Sequence, residues 1–267
     1  MIMSILKRMK ERRARKKYRR HPLQDTPAAL GLDLVTLGSA YGGWTFHDDG
    51  NLNGTTIISA GLGEDASFDV EFAAKYDARV ILVDPTQRAI EHFEGMSGQI
   101  GQARARQYVD GGTQPFDAYD LGDVAAEQLV LEPLALWTEK TSLRFFKPEN
   151  PDHVSHSIVN FQNDYRDDSD FVEVDACTLA ELLEKYEIGP DVLPLLKLDI
   201  EGAEIEVLQN IMAGGIRPKQ ICVEYDELGL PNETAFKRVD QAHASLTNAG
   251  YRCVYSNGTT DYLYLLE

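Results

Sequence analysis

Thr55-Thr56-Ile57-Ile58-Ser59-Ala60-Gly61-Leu62-Gly63-Glu64-Asp65-Ala66 is the stretch whose reading decides the fold. A β-branched and apolar run ends in two glycines, and Ala66 to Tyr76 then follows a helical pattern. Arg79-Val80-Ile81-Leu82-Val83 is a second apolar run, closed by Asp84-Pro85 and followed by a helix that extends into the 90s. Continuous apolar strands separated by helices predict an α/β protein. Its sheet is parallel and covered on both faces, because each crossover lays a helix over it.

The rest of the chain extends this alternation. Leu129 to Leu131 begins a third strand, Leu143 to Phe146 reads as an added strand, and Thr178 to Tyr186 as a helix. Val192 to Leu198 and Lys219 to Glu224 are further buried strands, the first interrupted by Pro194. A helix spans about Glu233 to Asn248. Tyr251 to Tyr255 and Tyr262 to Leu266 flank Asn257-Gly258, a strong hairpin signal, so the last strand runs antiparallel to its neighbour. Residues 95–125, rich in Gly, Gln and Asp, read as a mobile, insertion-like connection.

Composition bounds the function. The 267 residues carry a formal net charge of −17, but residues 1–20 hold ten Lys/Arg and one Glu, leaving a strongly acidic body. Such a body is repelled by phosphate backbones, which argues against nucleic-acid partners. Cys177, Cys222 and Cys253 show no zinc or disulfide spacing, which points to a reducing, cytoplasmic setting. No apolar run reaches the ~18 residues of a spanning helix. Ile2, Ile5, Leu6 and Met9 place a short apolar stripe on a cationic helix. Residues 1–20 are therefore either a tail resting on the acidic body or a peripheral contact with anionic lipid at the inner membrane face. His21-Pro22 to Pro27 reads as a linker, so residues 1–27 precede a single domain over 28–267.

Gly61-Leu62-Gly63-Glu64-Asp65-Ala66 matches G-x-G-x-x-G/A, and Asp84 follows at the end of the next strand. Glycines let the backbone approach a ligand, the helix start offers N–H groups, and a strand-end carboxylate accepts ribose hydroxyl protons. Both a dinucleotide and S-adenosylmethionine fit that pattern. Glu64 and Asp65 disfavour a pyrophosphate, whereas a sulfonium cofactor with a free amino group tolerates them.

Leu195-Leu196-Lys197-Leu198-Asp199-Ile200-Glu201-Gly202-Ala203-Glu204 ends a strand and starts a helix. Lys197, Asp199 and Glu201 share one side if the strand continues that far. This K-x-D-x-E-G-x-E block resembles the FkbM family of S-adenosylmethionine-dependent methyltransferases. The resemblance runs from about Thr55 to the final strand. It includes Gly61, Gly63, Val83-Asp84-Pro85, Glu132-Pro133-Leu134-Ala135-Leu136, Val223-Glu224 and Gly250-Tyr251.

The resemblance implies a Rossmann-like class I methyltransferase. Its seven-stranded, mostly parallel sheet has strand order 3-2-1-4-5-7-6 and an antiparallel last strand. It further implies S-adenosylmethionine as cofactor and a hydroxyl acceptor on a sugar, glycan or small metabolite. By position, Ser59, Ala60, Gly61 and Gly63 lie against the methionine part and Asp84 against the ribose. Leu134, Ala135 and Leu136 lie near the adenine, and Asp199 lies where the methyl group is transferred. Asp65 closes the cofactor loop. Family members often have Asp at the head of this loop and Gly at its end, where this chain has Ser59 and Asp65.

A hydroxyl acceptor must lose a proton, which calls for a base. Asp199 is the first choice, with Glu201 and Glu224 as neighbours that tune it or hold substrate; Glu201 could instead cap the following helix. Lys197 either pairs with these acids or touches substrate. No metal is expected. His156, within Asp152 to Ser157, is a candidate base or a solvated loop residue. Tyr225-Asp226-Glu227 either lines the acceptor pocket or is a solvated strand end. His47, Trp44 and Trp137 read as packing or surface residues. The competing functions are an NAD-dependent oxidoreductase and a non-catalytic nucleoside-binding scaffold.

Overall fold

The computed structural model describes residues 17–146, 171–229 and 231–267. Its main sheet has seven strands: β3 (Thr56–Ala60), β4 (Arg79–Val83), β5 (Leu129–Glu132), β9 (Leu195–Leu198), β10 (Gln220–Glu224), β11 (Tyr251–Ser256) and β12 (Asp261–Leu266). They lie side by side in the order β11-β12-β10-β9-β3-β4-β5. The β10-β9, β9-β3, β3-β4 and β4-β5 pairs are parallel, while β12 runs antiparallel to both β10 and β11. Among the described residues two strand groups lie outside this sheet. One is a hairpin of β1 (Leu34–Leu37) and β2 (Trp44–His47). The other joins β6 (Ala135–Leu136), β7 (Thr141–Phe146) and β8 (Phe171–Cys177).

Side-chain alternation divides the core between the two faces of the sheet. Ile58, Ala60, Ile81, Leu196 and Leu198 pack beneath α3 (Leu179–Lys185), α4 (Glu204–Ala213) and α5 (Glu233–Asn248). Ile57, Val80, Leu82 and Leu195 face α1 (Ser67–Tyr76) and α2 (Gln87–Ser97). Lys197 falls on this second face, opposite Ser59 on β3 and Cys222 on β10. Helix starts follow local chemistry. Thr178 and Glu181 form a capping box for α3, and Asn232 accepts from the N–H groups of Thr234 and Ala235 at the start of α5.

The β1-β2 hairpin has no counterpart in the sequence reading, which left residues 28–50 without elements. It covers the second face: Phe46 is fully buried and packs against the rings of Phe68, Phe72 and Tyr76 on α1. The Gln220 side chain pins it to β10, accepting from His47 N–H at 2.8 Å and donating to His47 carbonyl at 2.7 Å.

Two further expectations are corrected. Residues 95–125 are packed, because isolated apolar side chains such as Tyr119, Leu121 and Val124 are buried against the α1–α2 face. Single anchors of this kind leave no periodic signal. The supposed linker is also packed. His21 and Leu23 are buried, and His21 Nδ1 accepts from Leu23 N–H, so Nε2 carries the proton towards Asp240 Oδ1 at 3.1 Å. The rings of Tyr18 and His21 meet Phe236 edge-on. The segment up to Lys16 and His156 lie outside the described residues. Among the described residues no helix is long and apolar enough to cross a membrane.

Phe46 is the hairpin's main anchor. Phe46→Ala is expected to lower stability by about 3–5 kcal/mol in urea unfolding, the cost of an aromatic cavity in a rigid core. A loss below about 1 kcal/mol would mean that the hairpin is not packed as described.

Candidate active site

Backbone pairing continues one residue past the strand ends. Asp84 N–H donates to Glu132 carbonyl, Gly61 N–H to Val83 carbonyl and Asp199 N–H to Ala60 carbonyl, at 2.9–3.1 Å. The carboxyl ends of β4, β3, β9 and β10 therefore present Asp84, Gly61, Asp199 and Glu224 side by side. They line a cleft of about 950 Å³. Gly61 has φ +88°, and a Cβ there would lie 1.7 Å from Asp199 carbonyl oxygen. Only glycine allows the loop to pass so close to β9.

Asp84 braces the glycine loop. Its Oδ2 accepts from the N–H groups of Leu62 and Gly63, both at 3.0 Å, and its Oδ1 from Thr86 N–H and hydroxyl. Glu64 is tied on its outer side to Arg88 and to Thr113 hydroxyl. Ala135, Leu136 and Phe145 give this end of the cleft an apolar wall.

Lys197 sits beneath the middle of the cleft and is only 4% exposed. Its ammonium donates to Gly61 carbonyl and stands 3.5 Å from Asp199 Oδ2, with the Trp44 ring 5.3 Å away. Asp69 on α1 is fully buried on the same face, and its carboxyl is pushed up to about 6. Burial is the main cause, opposed by the charge of Lys197.

Carboxylates crowd the far end. Glu224 and Asp261 are direct partners across β10 and β12, an arrangement that like charges resist. Burial, then the charges of Asp199, Asp261 and Asp226, hold the Glu224 carboxyl well above the usual range. Asp261 is pushed up to about 6, again chiefly by burial. Tyr41 also lines the cleft. Burial and the charges of Asp199, Glu201, Glu224 and Asp65 raise its phenol above the usual value. Among the described residues no group of three or more His, Cys, Asp or Glu is arranged to hold a metal ion.

A family model for the methyltransferase FkbM domain matches residues 51–253. The chain belongs to the FkbM methyltransferase family. Among curated proteins none is significantly similar to it.

In this FkbM methyltransferase, Gly61, Gly63, Asp65, Asp84, Ala135, Leu136, Asp199, Glu201 and Glu224 all reach the cleft. Ser59 and Ala60 do not line it. They are fully buried in β3, behind the loop. Leu134 lines a separate, smaller pocket with Cys177 and Leu182, while Ala135 and Leu136 line the cleft. Glu201 is not carried there on an extended strand: β9 ends at Leu198 and Glu201 has φ +56°. The N-cap of α4 is Ala203, and Glu204 accepts from Ile200 N–H at 2.6 Å. Trp44 packs as expected and also lines the cleft beside Lys197. Sequence reasoning missed Ser39, Tyr41, Gln114 and Asp261. The glycines flanking Ser39 and Tyr41 (Gly38, Gly42 and Gly43) were the available signal for the turn that carries them.

Asp261 links pH to stability. Its folded-state carboxyl titrates near 6 against 3.8 for the free group. The stability it supplies when protonated is therefore present at low pH and is lost as pH rises through about 6. Asp261→Asn is expected to raise the melting temperature at pH 8 relative to the parent, by the equivalent of about 1–3 kcal/mol, and to have little effect near pH 4. An equal shift at both pH values would contradict this assignment.

Proposed function

We propose that this methyltransferase uses S-adenosylmethionine and methylates a hydroxyl oxygen of a sugar, glycan or other small hydroxylated metabolite. The observation that carries this reading is the order along the sheet edge. A nucleoside-type cradle at Gly61, Gly63 and Asp84 adjoins the Asp199–Glu224 pair in one cleft. The residues present fit the cofactor. A Cβ built on Gly63 meets nothing within 4 Å, so the loop leaves room for a ligand. The Ala135, Leu136 and Phe145 wall suits an adenine. Asp84 can accept a ribose hydroxyl if Thr86 hydroxyl turns away from Oδ1. The carboxylates of Glu64 and Asp65 disfavour a pyrophosphate at the helix start.

When bound, the cofactor supplies a methyl group on a sulfonium sulfur. Transfer is an in-line displacement, so the chain's main task is to position the acceptor oxygen. Asp199 takes the acceptor's hydroxyl proton at its carboxylate. Glu224 holds a proton of its own and donates a hydrogen bond to Asp199. Lys197 fixes Asp199 from below and the Gly61 carbonyl beside it. The shared base of the two loops thereby sets the distance between cofactor and acceptor.

Calorimetric titration with S-adenosylhomocysteine and, in parallel, with NAD tests the cofactor. Micromolar binding of the first and none of the second is expected, and the reverse would sink the reading. Once an acceptor is identified, Asp199→Asn is expected to lower kcat by about 10²–10⁴-fold, the usual contribution of a general base. Its affinity for S-adenosylhomocysteine should be retained. In the parent enzyme kcat should fall at alkaline pH as Glu224 loses its proton and two carboxylates face each other. Glu224→Gln keeps the donor and should remove that alkaline limb. An unchanged profile in Glu224→Gln would exclude Glu224 as its source.

A further inference from the structure

We infer that Ser39 and Gln114 hold the Asp65 carboxylate in place to receive the ammonium group at the amino-acid end of the cofactor, an inference that rests on the cofactor reading above. Asp65 lines the cleft yet is only 8% exposed. Its Oδ2 accepts from Ser39 hydroxyl at 2.6 Å and from Gln114 Nε2 at 3.1 Å, and its Oδ1 accepts from Ser67 N–H at 2.9 Å. All three donors are uncharged. A nearly buried carboxylate whose bonds come only from neutral donors is complementary to a cation. A carboxylate has about four acceptor positions, so these bonds leave room for one more donor.

The approach to the start of α1 is correspondingly occupied. Asp65 N–H donates to Leu62 carbonyl, Ala66 N–H to Tyr119 hydroxyl and Ser67 N–H to Asp65 itself. A helix start normally attracts carboxylates or phosphates. Here the three N–H groups leading into the helix are taken and a like charge stands beside them. The amino-acid end of the cofactor carries both an ammonium and a carboxylate, and this arrangement selects the ammonium.

Two loops distant in sequence build the holder. Gly42 lies directly over Asp65, where a Cβ would come 2.6 Å from Asp65 Cγ, and Ser39 hydroxyl accepts from Tyr41 and Gly42 N–H. Gln114 is 1% exposed, and its side chain accepts from Val109 N–H and donates to Val109 carbonyl. Ser39 and Gln114 are thus positioning residues that act on the ligand through Asp65.

The test is calorimetry with three thioethers that share the nucleoside. S-adenosylhomocysteine carries both charged groups, 5′-deoxy-5′-(3-aminopropylthio)adenosine only the amine, and 5′-methylthioadenosine neither. Asp65→Asn is expected to weaken the first two by about tenfold or more and the third by less than about twofold, since a charge-assisted bond is lost only where an ammonium is present. Ser39→Ala removes one donor to Asp65 together with the acceptor of Tyr41 and Gly42 N–H, and its loss should fall on the same two amine ligands and spare the third. An equal loss for all three ligands, or none for the two amines, would overturn the inference while leaving the cofactor reading standing. A parent protein that binds none of the three would refute both.

Discussion

The carboxyl edge of the sheet depends on one buried cation. Lys197 points to the α1 face of β9, and its ammonium reaches the Gly61 carbonyl on one side and Asp199 on the other. Removing a charge from water is costly unless its partners are close and well placed. Asp199 supplies a partner in the cleft, and Asp69 supplies a second charge of opposite sign from behind. The β1-β2 hairpin closes the remaining side with the Trp44 ring. The glycine loop, Asp199 and the hairpin therefore meet at the same ammonium group.

The crowding of acids follows from the register of β10 and β12. Glu224 and Asp261 face each other across β10 and β12, next to Asp199. Such a cluster does not remain fully ionised at moderate separation in a partly dry cleft. Protonation of some members relieves the repulsion. The fold thus keeps a hydrogen-bond donor among carboxylates without recruiting a separate hydroxyl or amide.

Much of this architecture was legible because parallel strands buried on both faces read as continuous apolar runs. Arg79 to Val83 and Glu233 to Asn248 needed only local pattern and caps. The Lys197–Glu204 block and the Gly61–Asp65 loop exposed the site because strand ends and glycines carry position-specific constraints. The hidden parts depended on tertiary contacts. Phe46 is one aromatic in a short hairpin, and its burial is decided by Phe68 and Phe72 on a separate helix. Gln114 resembles any loop glutamine until its bond to Asp65 is seen. Leu134 and Ala135 are adjacent in sequence, and only the path of the chain decides which one meets the cleft.

The segment around His21 ties together two distant parts of the chain. Gln24 Nε2 donates to Thr259 carbonyl in the turn of the last hairpin, 235 residues away, and Asn257, Thr260 and Asp261 of that turn border the cleft. This contact closes a very long loop, and such contacts form late when local pairing is available first. During synthesis the cradle at Gly61 and Asp84 has all its strands once β9 has emerged. The wall at Asp261 must wait for β12, far later in the sequence. The Gly61–Asp84 end of the cleft is thus assembled from strands close in sequence, whereas the acidic end joins β10 to a strand much further along the chain.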